Sequence, residues 1–177
     1  EALGNNGPVV LEQPNKNYET VRTLDALMSL IHKIQEANLI SFDLETTTIK
    51  ALEADIVGIS FSLAAHSGYY IPIDFPEKEL GIDMNLDSIL ERLKPEFENP
   101  KNCFCGQNIK YDALVLSRYD IHLNNIVFDT MVAEYLLHPE KNSYKLDYLS
   151  LDYLNYRMMP IEDLIGSGLY QKSMAEV

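Results

Sequence analysis

Basic residues are scarce in this 177-residue chain: 14 Lys and Arg stand against 27 Asp and Glu, a formal net charge of −13. A surface so acidic repels the phosphate backbone of duplex nucleic acid, which argues against an independent duplex-binding module. Cysteine is also scarce. Its two copies, Cys103 and Cys105, do not form a C-x-x-C pair, and they read as a buried pair of reduced thiols. The four histidines, His32, His66, His122 and His138, show neither H-x-x-x-H nor H-E-x-x-H spacing, so zinc is not expected. No stretch approaches the ~20 apolar residues of a membrane span. No signal peptide, internal repeat or low-complexity tract is evident, and a start without Met fits a processed or excised piece. At 46% hydrophobic residues, the chain is long enough for one domain with a real core.

What the chain does have is a pair of carboxylates at the end of an apolar run, Leu39-Ile40-Ser41-Phe42-Asp43-Leu44-Glu45-Thr46-Thr47. The run reads as a buried strand. Side chains alternate along a strand, so Asp43 and Glu45 share one face. Two like charges at the edge of a core lose hydration and repel, and a divalent cation offsets that cost. Taken alone, the segment fits equally well a strand end fraying into solvent. A second segment reads Cys105-Gly106-Gln107-Asn108-Ile109-Lys110-Tyr111-Asp112. Here Asn108 caps a helix, and Asp112 falls one turn inside it on the same face. Acids favour first turns, so a solvated Asp112 is the alternative.

Residues 1–16, rich in Gly, Pro and Asn, read as a linker or extended lead-in. A short strand is expected at 18–22, a helix at 24–36 with a stripe of Leu27, Met28, Ile31 and Ile34, and strands at 56–63 and 69–73 forming antiparallel hairpins beside the acidic strand. A helix around Leu86 to Leu93 closes at Pro95. A strand at 102–106, a helix at 108–118, a strand at 126–128 and helices at 129–137 and 144–154 follow. Hairpins first and alternation afterwards predict an α/β fold with a mixed sheet.

Together the two acidic segments resemble the 3′–5′ proofreading exonuclease domain of family A DNA polymerases, in the DEDD/DnaQ-like superfamily. Phe42-Asp43-Leu44-Glu45-Thr46 is similar to that family's first exonuclease motif and Gly106-Gln107-Asn108-Ile109-Lys110-Tyr111-Asp112 to its second. Phe128-Asp129-Thr130-Met131 and Lys145-Leu146-Asp147-Tyr148-Leu149, leading to Tyr153-Leu154, continue the resemblance in register. It runs from about Tyr18 to the C-terminus. It implies a ribonuclease H-like architecture, a five-stranded mixed sheet flanked by helices, over residues 17–177.

The resemblance also implies two-metal hydrolysis of the 3′-terminal phosphodiester of DNA with release of nucleoside monophosphates, using two Mg²⁺, with Mn²⁺ suiting the same oxygen ligands. Asp43, Glu45 and Asp112 would be the catalytic and metal-binding carboxylates: Asp43 bridging both ions, Glu45 on the nucleophile side, Asp112 on the second, partly through water. Thr46 and Ile49 would meet the terminal base and sugar, and Gln107, Asn108 and Tyr111 would line the path of the strand. Lys110 is a phosphate contact or, equally, a solvated helix lysine. The partners implied are a single-stranded 3′ end of DNA and the polymerase domain of the same parent chain, which would hold the duplex and so reconcile the acidic charge. No membrane is involved, and the location implied is cytoplasmic and nucleoid-associated.

One family element is missing, the third motif, a helical Tyr-x-x-x-Asp expected beyond Val177. Tyr148-Leu149-Ser150-Leu151-Asp152 has the spacing but matches the preceding helix of the family, and is read as an ordinary helix. The pocket-side stretch Met158-Met159-Pro160-Ile161 offers no aromatic residue for base stacking, and no Arg lies between Glu140 and Tyr144. A domain truncated there is expected to be weak or inactive, with apolar surface open to self-association. Two other readings stand beside the first: a 3′–5′ exoribonuclease of the same superfamily, and a non-catalytic structural remnant within a polymerase.

Overall fold

The computed structural model describes residues 16–73, 83–166 and 172. The expected lead-in lies outside the described residues, apart from Lys16. Strand β1 (Asn17–Thr20) leads into α1 (Leu24–Glu36), where Thr23 caps the helix by accepting the Ala26 N–H at 3.3 Å. Strands β2 (Ile40–Thr46), β3 (Ile56–Ser62) and β4 (Ser67–Pro72) follow. They run antiparallel in succession, as the hairpin pattern predicts. Then come α2 (Leu86–Phe97), β5 (Phe104–Gly106), α3 (Ile109–Ser117), β6 (Ile126–Asp129), α4 (Thr130–Leu137), α5 (Leu146–Leu154) and a short α6 (Glu162–Ile165).

The strands form one six-stranded sheet in the order β1-β4-β3-β2-β5-β6. Its mixed character and the six strands read along the residues agree with the sequence; the five strands that the resemblance implies do not. The resemblance implies five strands, and the sixth is β1, which pairs parallel with β4 from Asn17–Ser67 to Thr20–Tyr70. The crossover helix α1 returns the chain from that edge to β2 in the middle of the sheet.

Alternation along β2 decides which face is dry. Ile40, Phe42 and Leu44 are buried in the core, whereas Ser41 and Asp43 are exposed and Glu45 half-buried on the other face. The core face is covered by α1 and α2 through Leu27, Leu30, Ile34, Leu90 and Leu93. Phe42 stands at its centre, 5.5 Å from the Phe61 ring and 5.0 Å from Phe97, which is itself 5.9 Å from Phe104. These tilted and edge-on pairs add attraction beyond area burial.

The aromatic cluster also explains a misplaced helix end. Helix α2 runs through Pro95 to Phe97 instead of closing at the proline. A proline in the last turn forfeits one backbone bond, and seating Phe97 in the core outweighs that loss. Cys103 and Cys105 are free thiols but only half-buried, because they flank the core residue Phe104 and so alternate toward the open face.

Candidate active site

Asp43 and Glu45 share the open face of β2, as the strand period requires. Opposite them on β3 stand Ser60 and Gly58, respectively, and a bulge between Glu45 and Thr46 turns the chain out of the sheet. Asp112 enters from α3. It is 2% exposed, which rules out the solvated-helix reading. Strand β5 pairs with β2 only at Ile40 and Ser41. The Leu44 N–H therefore lies past the end of that pairing, and it donates to Asp112 Oδ1 at 3.1 Å. One buried carboxylate thus closes the backbone accounting of the strand that carries the other two.

The capping of α3 differs from expectation. Asn108 is the N-cap residue, but its backbone is left-handed (φ 57°, ψ 37°) and its side chain makes no capping bond. The carboxylate of Asp129 substitutes, accepting the Asn108 N–H at 3.1 Å and the Ile109 N–H at 3.0 Å. The same carboxylate accepts the Met131 and Val132 N–H groups at 2.9 and 3.2 Å, capping its own helix α4. Asp129 therefore fixes two helix N-termini, one of which carries Asp112. Its place before α4 is legible in the sequence; its reach across β5 to α3 is not. Each lost cap costs about 0.5–2 kcal/mol, so Asp129→Ala is expected to lower stability by roughly 1–4 kcal/mol. A urea midpoint unchanged from the parent would refute the double cap.

The remaining anticipated residues fall into two groups. Thr46 and Tyr111 come together beside the carboxylates: their hydroxyls are 2.6 Å apart, and both donate toward the Thr48 carbonyl, at 3.1 and 2.5 Å. This pins the loop after β2 to α3. Ile49, in that loop, is 93% exposed, an unusual cost for an isoleucine. Lys110 is also exposed. Gln107 is engaged within the protein at both ends, donating to the Tyr144 carbonyl at 2.7 Å and accepting from the Thr130 hydroxyl. Tyr148 is exposed, and Asp152 pairs with Lys141 at 2.9 Å. Lys141 in turn meets the buried Glu134 at 2.6 Å, and Tyr153 donates to Glu134 at 2.7 Å. Asp152 thus belongs, with Lys141, Glu134 and Tyr153, to a clamp between α4 and α5 in which Tyr148 takes no part.

Proton affinities rise together at the site. Although the Asp43 side chain is exposed to the cleft, the protein packed around it takes up much of its hydration, and this desolvation and then the Glu45 charge push it up to about 7. Burial and then the Asp43 charge push Asp112 up to about 8, against the opposing pull of the Leu44 N–H. Burial raises Glu45. No cationic side chain among the described residues offsets any of them. Asp43 keeps solvent access because it lines a cleft of about 1170 Å³ along the open face, walled by Ser60 and Tyr70 and reached by Tyr156 and Arg157. Nothing but strand alternation marks Tyr70 in the sequence.

The donor set suits a hard divalent cation: oxygen ligands alone, desolvated and mutually repelling. Among the described residues no three His, Cys, Asp or Glu side chains already converge around one cation-sized point. Asp112 Oδ1 is turned to the strand backbone, so one of its two oxygens remains for a ligand. The fit is therefore one of chemistry and charge, with side-chain rotation left to complete it. Among the described residues no helix is long and apolar enough to cross a membrane.

Comparison with known proteins agrees with this geometry. A family model described as 3′–5′ exonuclease matches residues 18–172. DNA polymerase I of Pseudomonas aeruginosa is 32% identical over 93% of this chain and 18% of its own length. That of Borreliella burgdorferi is 33% identical over 88% of this chain and 16% of its own. The chain thus spans less than a fifth of these relatives. Among solved structures, the POL domain of Pol1 from M. smegmatis has a TM-score of 0.64 at 20% identity, over 81% of this chain and 23% of that one. NrnC of Brucella melitensis with bound Mg²⁺ has 0.59 at 15%, over 82% and 64%. Escherichia coli RNase D, an exoribonuclease, has 0.61 at 17%, over 83% and 36%. These three likenesses show the fold, which is that of the ribonuclease H-like exonucleases. The family match and the polymerase relatives go further: the chain belongs to the 3′–5′ exonuclease domains of family A DNA polymerases.

Proposed function

We propose that this domain removes nucleotides from the 3′ end of DNA by hydrolysis, proofreading for a polymerase in the same parent chain. The observation that carries the proposal is the trio Asp43, Glu45 and Asp112, raised in proton affinity by burial, with no cationic partner among the described residues, at the positions of two exonuclease motifs. In this reading the three carboxylates hold two divalent cations, Mg²⁺ or Mn²⁺. When bound, such ions lower the pKa of an attacking water and offset charge on the leaving 3′ oxygen. Asp43 faces the cleft and Glu45 stands beside it to orient the water. Asp112 supplies one oxygen while its other stays on the Leu44 N–H, which fixes α3 against β2. The Thr46–Tyr111 contact holds the loop so that exposed Ile49 can meet the terminal base and sugar. Asn108, Gln107 and Lys110 lie along or beside the approach of the strand, with the Gln107 amide keeping its internal bonds. A nucleoid-associated location in the cytoplasm follows from that substrate.

The test is digestion of 5′-labelled single-stranded DNA by the full-length protein with Mg²⁺, Mn²⁺ or EDTA. Stepwise 3′ shortening that releases mononucleotides and stops in EDTA is expected. A 5′-labelled RNA of the same sequence addresses the exoribonuclease alternative, which the fold shared with RNase D raises. RNA shortened faster than DNA would transfer the assignment to it. Neither strand shortened would make the domain a structural remnant.

A further inference from the structure

We propose that Tyr70 is a positioning residue for Glu45: its hydroxyl stands over the vacant side-chain position of Gly58, unbonded in this cation-free state, and donates to the Glu45 carboxylate when a divalent cation draws that side chain across, holding it toward the cation. The inference rests on the metal-binding reading above. Its geometry comes from the register of three adjacent strands. Asp43, Ser60 and Tyr70 form one cross-strand row, and Glu45 and Gly58 begin the next. Facing side chains in such rows are within reach of their diagonal neighbours when one of them is long.

Tyr70 uses that reach. Its ring leans out of the Asp43 row and covers Gly58, directly across from Glu45. A Cβ placed on Gly58 would fall 2.2 Å from the Tyr70 hydroxyl oxygen and 2.6 Å from two of its ring carbons. Any side chain there would displace the phenol, so glycine is required for the close approach. Among the described residues no hydrogen bond engages the Tyr70 hydroxyl or the Glu45 carboxylate, and both belong to the open face that Asp43 shares. An unspent donor and an unspent acceptor thus flank one small residue. A group that orients a metal ligand without touching the metal typically contributes 10–100-fold to affinity.

The experiment reads Mn²⁺ binding to this chain by calorimetry. Tyr70→Phe keeps the ring over Gly58, so its melting temperature is expected to match the parent while Mn²⁺ binds about tenfold more weakly. Gly58→Ala, which pushes the ring aside with its hydroxyl intact, is expected to weaken binding similarly. In a Glu45→Gln background the Tyr70→Phe change should have no further effect. Parental affinity in Tyr70→Phe, or the same tenfold loss with and without Glu45, would overturn the positioning role and leave Tyr70 a packing residue. Mn²⁺ binding indifferent to both Asp43→Asn and Glu45→Gln would instead overturn the metal site, and the role of Tyr70 with it.

Discussion

Asp112→Asn is expected to stabilise the cation-free protein at pH 8.5 while weakening its response to Mg²⁺. Asp112 is buried, and its proton affinity is pushed from an unfolded value near 3.8 to about 8 by burial and the Asp43 charge. Between those two values the folded protein holds a proton that the unfolded chain has released. Stability therefore falls as pH rises through this window and levels off above it. The charged Asp112 at pH 8.5 is thus a cost stored in the fold. Asparagine keeps the volume and an oxygen for the Leu44 N–H, and removes the charge. Relieving a penalty on the order of 2–3 kcal/mol in a chain of this size corresponds to roughly 5–10 °C in melting temperature. Melting in EDTA from pH 5.5 to 8.5 should show the parent losing stability steeply and Asp112→Asn less, the slope left in the variant coming from Asp43, which burial and Glu45 raise to about 7. Added Mg²⁺ should recover the parent at pH 8.5 and have much less effect on the variant, since ligand binding to the native state alone stabilises it. A variant less stable than the parent at pH 8.5 in EDTA would refute the stored cost and mark the carboxylate as a net structural asset.

That behaviour was only half legible in the sequence. The strand period placed Asp43 and Glu45 on one face correctly, because Ile40, Phe42 and Leu44 alternate with them without interruption. The helical stripe of α1 is equally plain, and Leu27, Ile31 and Ile34 of it are buried. Contacts distant in sequence were not legible. Asp129 capping α3 joins residues some twenty positions apart, and Asn108 looked like the cap because local chemistry favours it. The extension of α2 past Pro95 was hidden because the aromatic cluster that draws in Phe97 is tertiary. Tyr70 carried no signal because its reach over Gly58 depends on the register of β3 with β4. The residues of β1 predict a strand, but four exposed residues carry no signal for its parallel pairing with β4.

Asp43→Asn is expected to abolish 3′ shortening of single-stranded DNA by the full-length protein, a loss of about 10³-fold or more. Positioned acid–base and ion-assisted groups typically contribute 10²–10⁴-fold, and Asp43 has the most direct access of the three carboxylates to the cleft. The substitution is nearly isosteric. It leaves the Ser60 hydroxyl on the Asp43 carbonyl, a backbone contact of 3.3 Å, and the β2–β3 register untouched. It also removes a charge that burial and Glu45 disfavour, so the fold should be no less stable. The defect should therefore fall on kcat, with KM for the oligonucleotide little changed, if the strand is gripped as proposed above by the loop after β2 and by α3. Glu45→Gln should behave alike and somewhat less severely, as Glu45 is half-buried and does not line the cleft. Single-turnover digestion at saturating Mg²⁺ separates the outcomes. A raised KM with parental kcat would make Asp43 a binding group rather than a catalytic one. Parental rates in both variants would remove the carboxylates from the chemistry and require the hydrolysis to be carried elsewhere in the protein.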